Sequence, residues 1–149
     1  MYVLDTCVIS DLAPGKTRPQ CDVADWLKRN GQDCYISAVS LTEISYGIAW
    51  LRHRGATARA ARLSLWQEEM LRFHAGRIIS VDIKIAIRAG ALLGIARAAG
   101  FEPDTEDAWI AATAEMHEMQ VLTYNEADFR PMGVALRNPL TDLPRDRTQ

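Results

Sequence analysis

The residues best suited to chemistry are acids that stand at the ends of short apolar runs. Asp5 closes Tyr2-Val3-Leu4-Asp5-Thr6, and Glu43 follows Ser37-Ala38-Val39-Ser40-Leu41-Thr42. Asp104, Glu106 and Asp107 come just ahead of Ala108-Trp109-Ile110-Ala111-Ala112-Thr113-Ala114, and Asn125 lies just past Val121-Leu122-Thr123. Each has an ordinary structural use. Asp5 could cap a helix starting near Val8, a contribution of about 1 kcal/mol. Ser40-x-x-Glu43 is a capping-box pattern. Acids in a first helical turn are favoured by the helix dipole by roughly 0.3–1 kcal/mol. Gathered in one place, however, these carboxylates would repel and raise one another's pKa. A divalent ion turns that liability into a site, and oxygen ligands suit Mg²⁺ or Mn²⁺ rather than zinc.

Other site chemistries fit less well. His53, His74 and His117 are too far apart for an H-x-x-x-H zinc pair. Cys7, Cys21 and Cys34 are odd in number and unlike in surroundings, which suggests neither a disulfide framework nor a thiolate metal site. Gly15-Lys16-Thr17 looks like the end of a P-loop, but Ser10 stands where that motif requires glycine. Pro14-Gly15 reads better as a turn.

The elements behind the acids must bring them together. Tyr2–Leu4, Cys34–Ile36, Ile78–Val81 and Val121–Leu122 each read as a short buried strand followed by a helical pattern, with a weaker last strand around Gly133–Leu136. Leu41, Ile44, Ile48 and Leu51 repeat at helical spacing, as do Ile83, Ile87 and Ala91. This alternation predicts an α/β chain with three α/β/α layers around a parallel sheet of four to five short strands. Ligands of such sheets bind outside the carboxyl ends of the strands, where these acids stand. The segment Ala108–Ala114 is apolar nearly all round, as in a buried helix, and a buried helix that opens on carboxylates calls for positive charge nearby. Residues 1–140 read as one domain, and the polar stretch 141–149, with Pro144, as a loose tail.

Bulk properties narrow the field. With 149 residues, 48% of them apolar, the chain can build one core but not two. No run approaches the ~18–20 apolar residues that span a bilayer, and Met-Tyr-Val-Leu-Asp does not open like a signal peptide. A cytoplasmic protein with no membrane partner is expected. Seventeen basic against nineteen acidic residues excludes a domain that coats nucleic acid by charge alone. Yet no acid lies between Glu43 and Glu68, while Arg52, Arg54, Arg59 and Arg62 fall in that gap. The run is either a solvated helix face or a surface for phosphate or an acidic partner.

Five blocks then resemble a known family in order and over nearly the whole chain. They are Leu4-Asp5-Thr6; Ser37-Ala38-Val39 running to Glu43 and Gly47; Asp107 through Ala114; Val121-Leu122-Thr123-Tyr124-Asn125 with Asp128-Phe129; and Asn138-Pro139. The family is that of PIN domains, and the likeness is to toxin ribonucleases of VapBC-type toxin–antitoxin pairs. The resemblance implies a Mg²⁺-dependent endoribonuclease, with Mn²⁺ able to substitute, that hydrolyses RNA phosphodiesters by metal-activated water. It implies Asp5, Glu43 and Asp107 as metal-binding acids, Asp104 as an assistant, and Asn125 as the fourth catalytic position, where many relatives have aspartate. Cys7 stands where relatives often have asparagine or serine, and Tyr124 where arginine is frequent. A cognate antitoxin and a homodimer are implied as well, with Thr6, Thr123 and the four arginines as contacts to RNA or antitoxin. Two other readings use the same features: a PIN-like RNA- or protein-binding module without catalysis, and a metal-dependent DNA nuclease or phosphatase.

Overall fold

Val3 and Leu4 are both fully buried, on opposite faces of their strand, so β1 (Tyr2–Leu4) has a core on each side. The computed structural model, which describes residues 1–15 and 21–146, places β1 at the centre of a five-stranded sheet. Lys16 and Thr17 of the P-loop-like triplet lie outside the described residues. β2 (Cys34–Ser37) and β4 (Gln120–Leu122) flank β1, and β3 (Ile78–Ile79) and β5 (Leu136–Arg137) complete the order β3-β2-β1-β4-β5. Every pairing is parallel, as expected. Leu4 lies opposite Ile36 on one side and Leu122 on the other. The three central strands therefore finish level, and Asp5, Ser37 and Thr123 emerge side by side.

Helices cover both faces. α1 (Thr6–Ser10), α2 (Cys21–Asn30), α3 (Ala38–His53) and α4 (Thr57–Phe73) enclose one core with Leu4, Ile36 and Leu122. The predicted stripe on α3 is present there, with Ile44 and Ile48 buried and Leu41 and Leu51 half-buried. On the other face, α5 (Ile83–Ala98), α6 (Thr105–Met116) and α7 (Glu126–Phe129) join Val3 and Val121. α5 and α6 pack more extensively than any other pair of elements. Ala89, Ala96, Ala108, Ala111 and Ala112 allow that close approach. Among the described residues no helix is long and apolar enough to cross a membrane.

Three sequence expectations change. On α5 the buried side is Ile85, Ala89, Leu92 and Ala96, whereas Ile83 and Ile87 of the expected stripe are 78% and 71% exposed. α5 is apolar on every side, so periodicity alone cannot pick its inner face; the small residues that fit α6 do. β3 stops at Ile79 rather than Val81. The last strand begins at Leu136 because Gly133, at φ 70°, closes a 3₁₀ turn over Arg130–Met132. Beyond Pro139, among the described residues, Leu143 packs against the α1–α4 core, and Asp146 accepts hydrogen bonds from Asn30 (2.7 Å) and Arg29 (3.2 Å).

Since α6 is buried by small side chains, Ala111→Leu should overpack the α5–α6 contact and lower stability by about 1–3 kcal/mol. Ile87→Ala, on the outward side of α5, should change it by less than about 0.5 kcal/mol. Urea unfolding of the two variants checks the inner face of α5 and α6.

Candidate active site

Asp5 sits where a helix cap would, yet its side chain makes no capping bond and is nearly buried. Its Oδ2 instead accepts from Thr123 Oγ1 at 2.6 Å and from the Cys7 thiol at 3.0 Å. Thr123, which the family likeness made an RNA or antitoxin contact, has no exposed surface. It positions Asp5, and its hydroxyl also accepts the Asn125 N–H at 2.9 Å.

The capping box is absent too. α3 starts at Ala38, with the Ser37 hydroxyl accepting the Val39 N–H at 3.3 Å, so Glu43 falls in the second turn. There its Oε2 accepts from Thr6 Oγ1 at 2.5 Å. Thr6 thus holds Glu43. Asp107 is the third residue of α6, and Asp104 occupies that helix's cap position without a side-chain capping bond. Asn125, exposed at the start of α7, donates to Asp128.

Charge shows how close these groups are. Burial first, and then the charges of Asp5, Asp128, Asp104 and Glu43, push the Asp107 carboxyl up to about 7. Burial also raises Glu43; the Thr6 bond opposes this, and Asp5, Glu106 and Asp104 add to it. No cation among the described residues acts on either group. Burial and then the Asp5 charge push the Cys7 thiol up to about 12, so it stays protonated as a donor to Asp5.

Asp128 is the residue that sequence reasoning missed. Its signal was the one-turn spacing from Asn125, which sets an amide and a carboxylate together where the family pattern emphasises one position.

Among the described residues no three acids, thiols or imidazoles already form a ready-made ligand group. Asp5 and Glu43 each commit one oxygen to a hydroxyl, while Asp5 Oδ1 and Glu43 Oε1 accept no hydrogen bond among the described residues. The donor set is therefore hard oxygen, negatively charged and without a counter-cation among the described residues. It fits Mg²⁺ or Mn²⁺, with Asp5, Glu43 and Asp107 as the residues that would hold the ion.

A cleft of about 510 Å³ opens beside Glu43, between α3 and α4. Thr6, Gly47, Ile48, Leu51, Arg59 and Trp66 are among its lining residues. Of the other arginines, Arg52 donates to Ser64 at 2.7 Å, while Arg54 and Arg62 are exposed. Tyr124 donates its hydroxyl to Asp11 at 2.6 Å, tying the end of β4 to that of α1.

Comparison with known proteins agrees with the fold. The PIN domain family model matches residues 2–134. Toxin FitB of Neisseria gonorrhoeae is 33% identical over 143 residues, which are 95% of this chain and 100% of that protein. VapC ribonuclease Y4jK of Sinorhizobium fredii is 31% identical over 144 residues, covering 93% of this chain and 97% of that one. The crystal structure of FitAcB from Neisseria gonorrhoeae superposes with a TM-score of 0.81 at 32% identity, covering 94% of this chain and 99% of that one.

The raised Asp107 carboxyl has a consequence for stability. In the native state it keeps a proton that the unfolded chain has already released, so its contribution is complete at low pH and is lost as pH rises from about 4 through about 7. Urea midpoints measured in chelator should show Asp107→Asn gaining on the wild type across that window. Parallel pH profiles would remove Asp107 from the repulsive cluster.

Proposed function

The chain belongs to the PIN-domain family, and from that membership we propose that it is a Mg²⁺-dependent endoribonuclease, active with Mn²⁺ as well, and the toxin of a type II toxin–antitoxin pair. The observation that carries this reading is the Asp5–Glu43–Asp107 cluster, whose repulsion no cation among the described residues relieves. The names of the relatives, a toxin and a VapC ribonuclease, support the same assignment. We place the protein in the cytoplasm.

The roles follow from the contacts. Asp5 and Asp107 would hold the ion, and Thr123 and Cys7 fix the Asp5 carboxylate through its Oδ2. Glu43, clamped by Thr6 and raised in pKa, would share the ion or accept a proton from the attacking water. Asn125 positions substrate, and Asp104 and Asp128 add negative charge around Asp107. When bound, a divalent cation supplies positive charge at the phosphate and lowers the pKa of water, so no histidine is required. In the net reaction water adds to phosphorus and the bond to the 3′ oxygen breaks, leaving a 5′-phosphate and a 3′-hydroxyl.

The cleft beside Glu43 is where the antitoxin would dock. Its apolar walls suit the apolar face of a partner segment, and an arginine on that segment would neutralise the acids by charge-assisted hydrogen bonds. Arg59 borders the same cleft. The proposal includes a homodimer, and the exposed Ile83, Ile87 and Ile95 of α5 are the first surface on which to test it.

Two variants separate catalysis from inhibition. Asp107→Asn should cut Mg²⁺-dependent cleavage of single-stranded RNA on the order of a hundredfold or more, because charge at the reacting phosphate is the main catalytic contribution. Gly47 has open space where a Cβ would stand and lies in the cleft, so Gly47→Trp should fold and keep Mg²⁺ binding while losing antitoxin affinity, read by calorimetry. Full nuclease activity in Asp107→Asn contradicts the assigned site, and unaltered antitoxin binding in Gly47→Trp contradicts the assigned cleft.

A further inference from the structure

We propose that the outward face of α3 is a stacking platform for the bases of single-stranded RNA on its way to the acid cluster; this rests on the ribonuclease reading above and names how its substrate is held. Glu43, Tyr46, Trp50 and His53 follow one another at intervals of three, four and three residues, which puts them along one side of the helix. Tyr46 and Trp50 are 67% and 48% exposed. The Trp50 and His53 rings are stacked at the surface, 5.3 Å between centroids and 24° between planes. Trp50 stands about 10 Å along the helix from Glu43, from the rise per residue. A base stacked there belongs to a nucleotide close to the phosphate that the acids address.

The face has no structural employment. The other side of α3 is tied to α4 by Gln67 donating to Ser45 and Arg52 donating to Ser64, both at 2.7 Å. The aromatic rings that serve the core, such as Tyr2 against Trp26, are drawn in by contrast. Arg54, the cap residue of α3, stands one turn beyond Trp50 and is exposed. No acid lies between Glu43 and Glu68, and Arg54, Arg59 and Arg62 make no ion pair with a described residue. Exposed rings with an exposed arginine one turn beyond them match a strand that offers free base faces and phosphates together. A duplex hides those faces. A purely apolar peptide has no use for the arginines.

The test uses the full chain, an unstructured oligoadenylate and a perfectly paired RNA hairpin, in chelator so that neither is cut. Tyr46→Ala/Trp50→Ala should bind the oligoadenylate at least about tenfold more weakly than wild type, given the worth of base–aromatic stacking. Trp50→Phe should stay near wild type, and hairpin binding should be the same in all three. Both side chains are exposed, so thermal melting should be unchanged. Equal oligoadenylate affinity in the double alanine variant overturns the proposal. So does a change confined to antitoxin affinity or oligomeric state, which would make the face a protein contact. If wild type binds RNA in this ring-dependent way but does not cut it with Mg²⁺, the platform stands and the nuclease reading fails. If wild type cuts RNA and the rings are irrelevant to binding, the platform fails and the nuclease reading stands.

Discussion

Repulsion among carboxylates that the fold forces together is the constraint on which the rest of the site depends. The register of β1, β2 and β4 brings Asp5 out at the level from which α3 and α7 start, and the buried α6 carries Asp107 toward the same edge. Among the described residues none of these acids forms an ion pair with a lysine or arginine. The chain manages the charge with hydroxyls instead: Thr6 on Glu43, and Thr123 with the Cys7 thiol on Asp5. Such donors orient a carboxylate without cancelling its charge. They leave a local field that favours a small cation; burial first, and then that field, hold the Asp107 carboxyl well above the usual carboxylate range.

That field also sorts the surfaces around it. One flank of α3 faces α4 across an apolar cleft that reaches Glu43, while the other carries exposed rings and ends among arginines. An inhibitor that delivers positive charge and a substrate that delivers phosphate are thus offered adjoining surfaces of one helix. Gly47, between the two, leaves the cleft open where any larger residue would fill it.

The sequence showed the sheet better than it showed the side chains' duties. Short apolar runs that must lie between two helical layers have few alternatives, so the central strands and the acids that follow them were legible. The inner face of α5 was not, because Ile83, Ile85 and Ile87 are equally apolar and only fit against the alanines of α6 decides between them. Local spacing also suggested helix caps for Asp5 and Glu43. The structure gives them long-range partners, Thr123 and Thr6, at separations that no local pattern encodes. The family likeness made Thr123 a contact residue, but at the end of a central strand it is buried by its neighbours. Asp128 escaped notice for a related reason: its effect on Asp107 depends on where the short α7 sets it, not on its distance along the chain.

The central claim is that the cluster takes up a divalent cation because its own charge is unrelieved. Calorimetric titration of Mg²⁺ at pH 7, repeated in buffers of different ionisation enthalpy, tests it most directly. A carboxyl that is half protonated near that pH must give up its proton when a cation binds beside it. The account predicts saturable binding accompanied by release of a fraction of a proton, with that release abolished in Asp107→Asn and much reduced at higher pH. No saturable binding by the wild type, or binding with no proton release at pH 7, would contradict it.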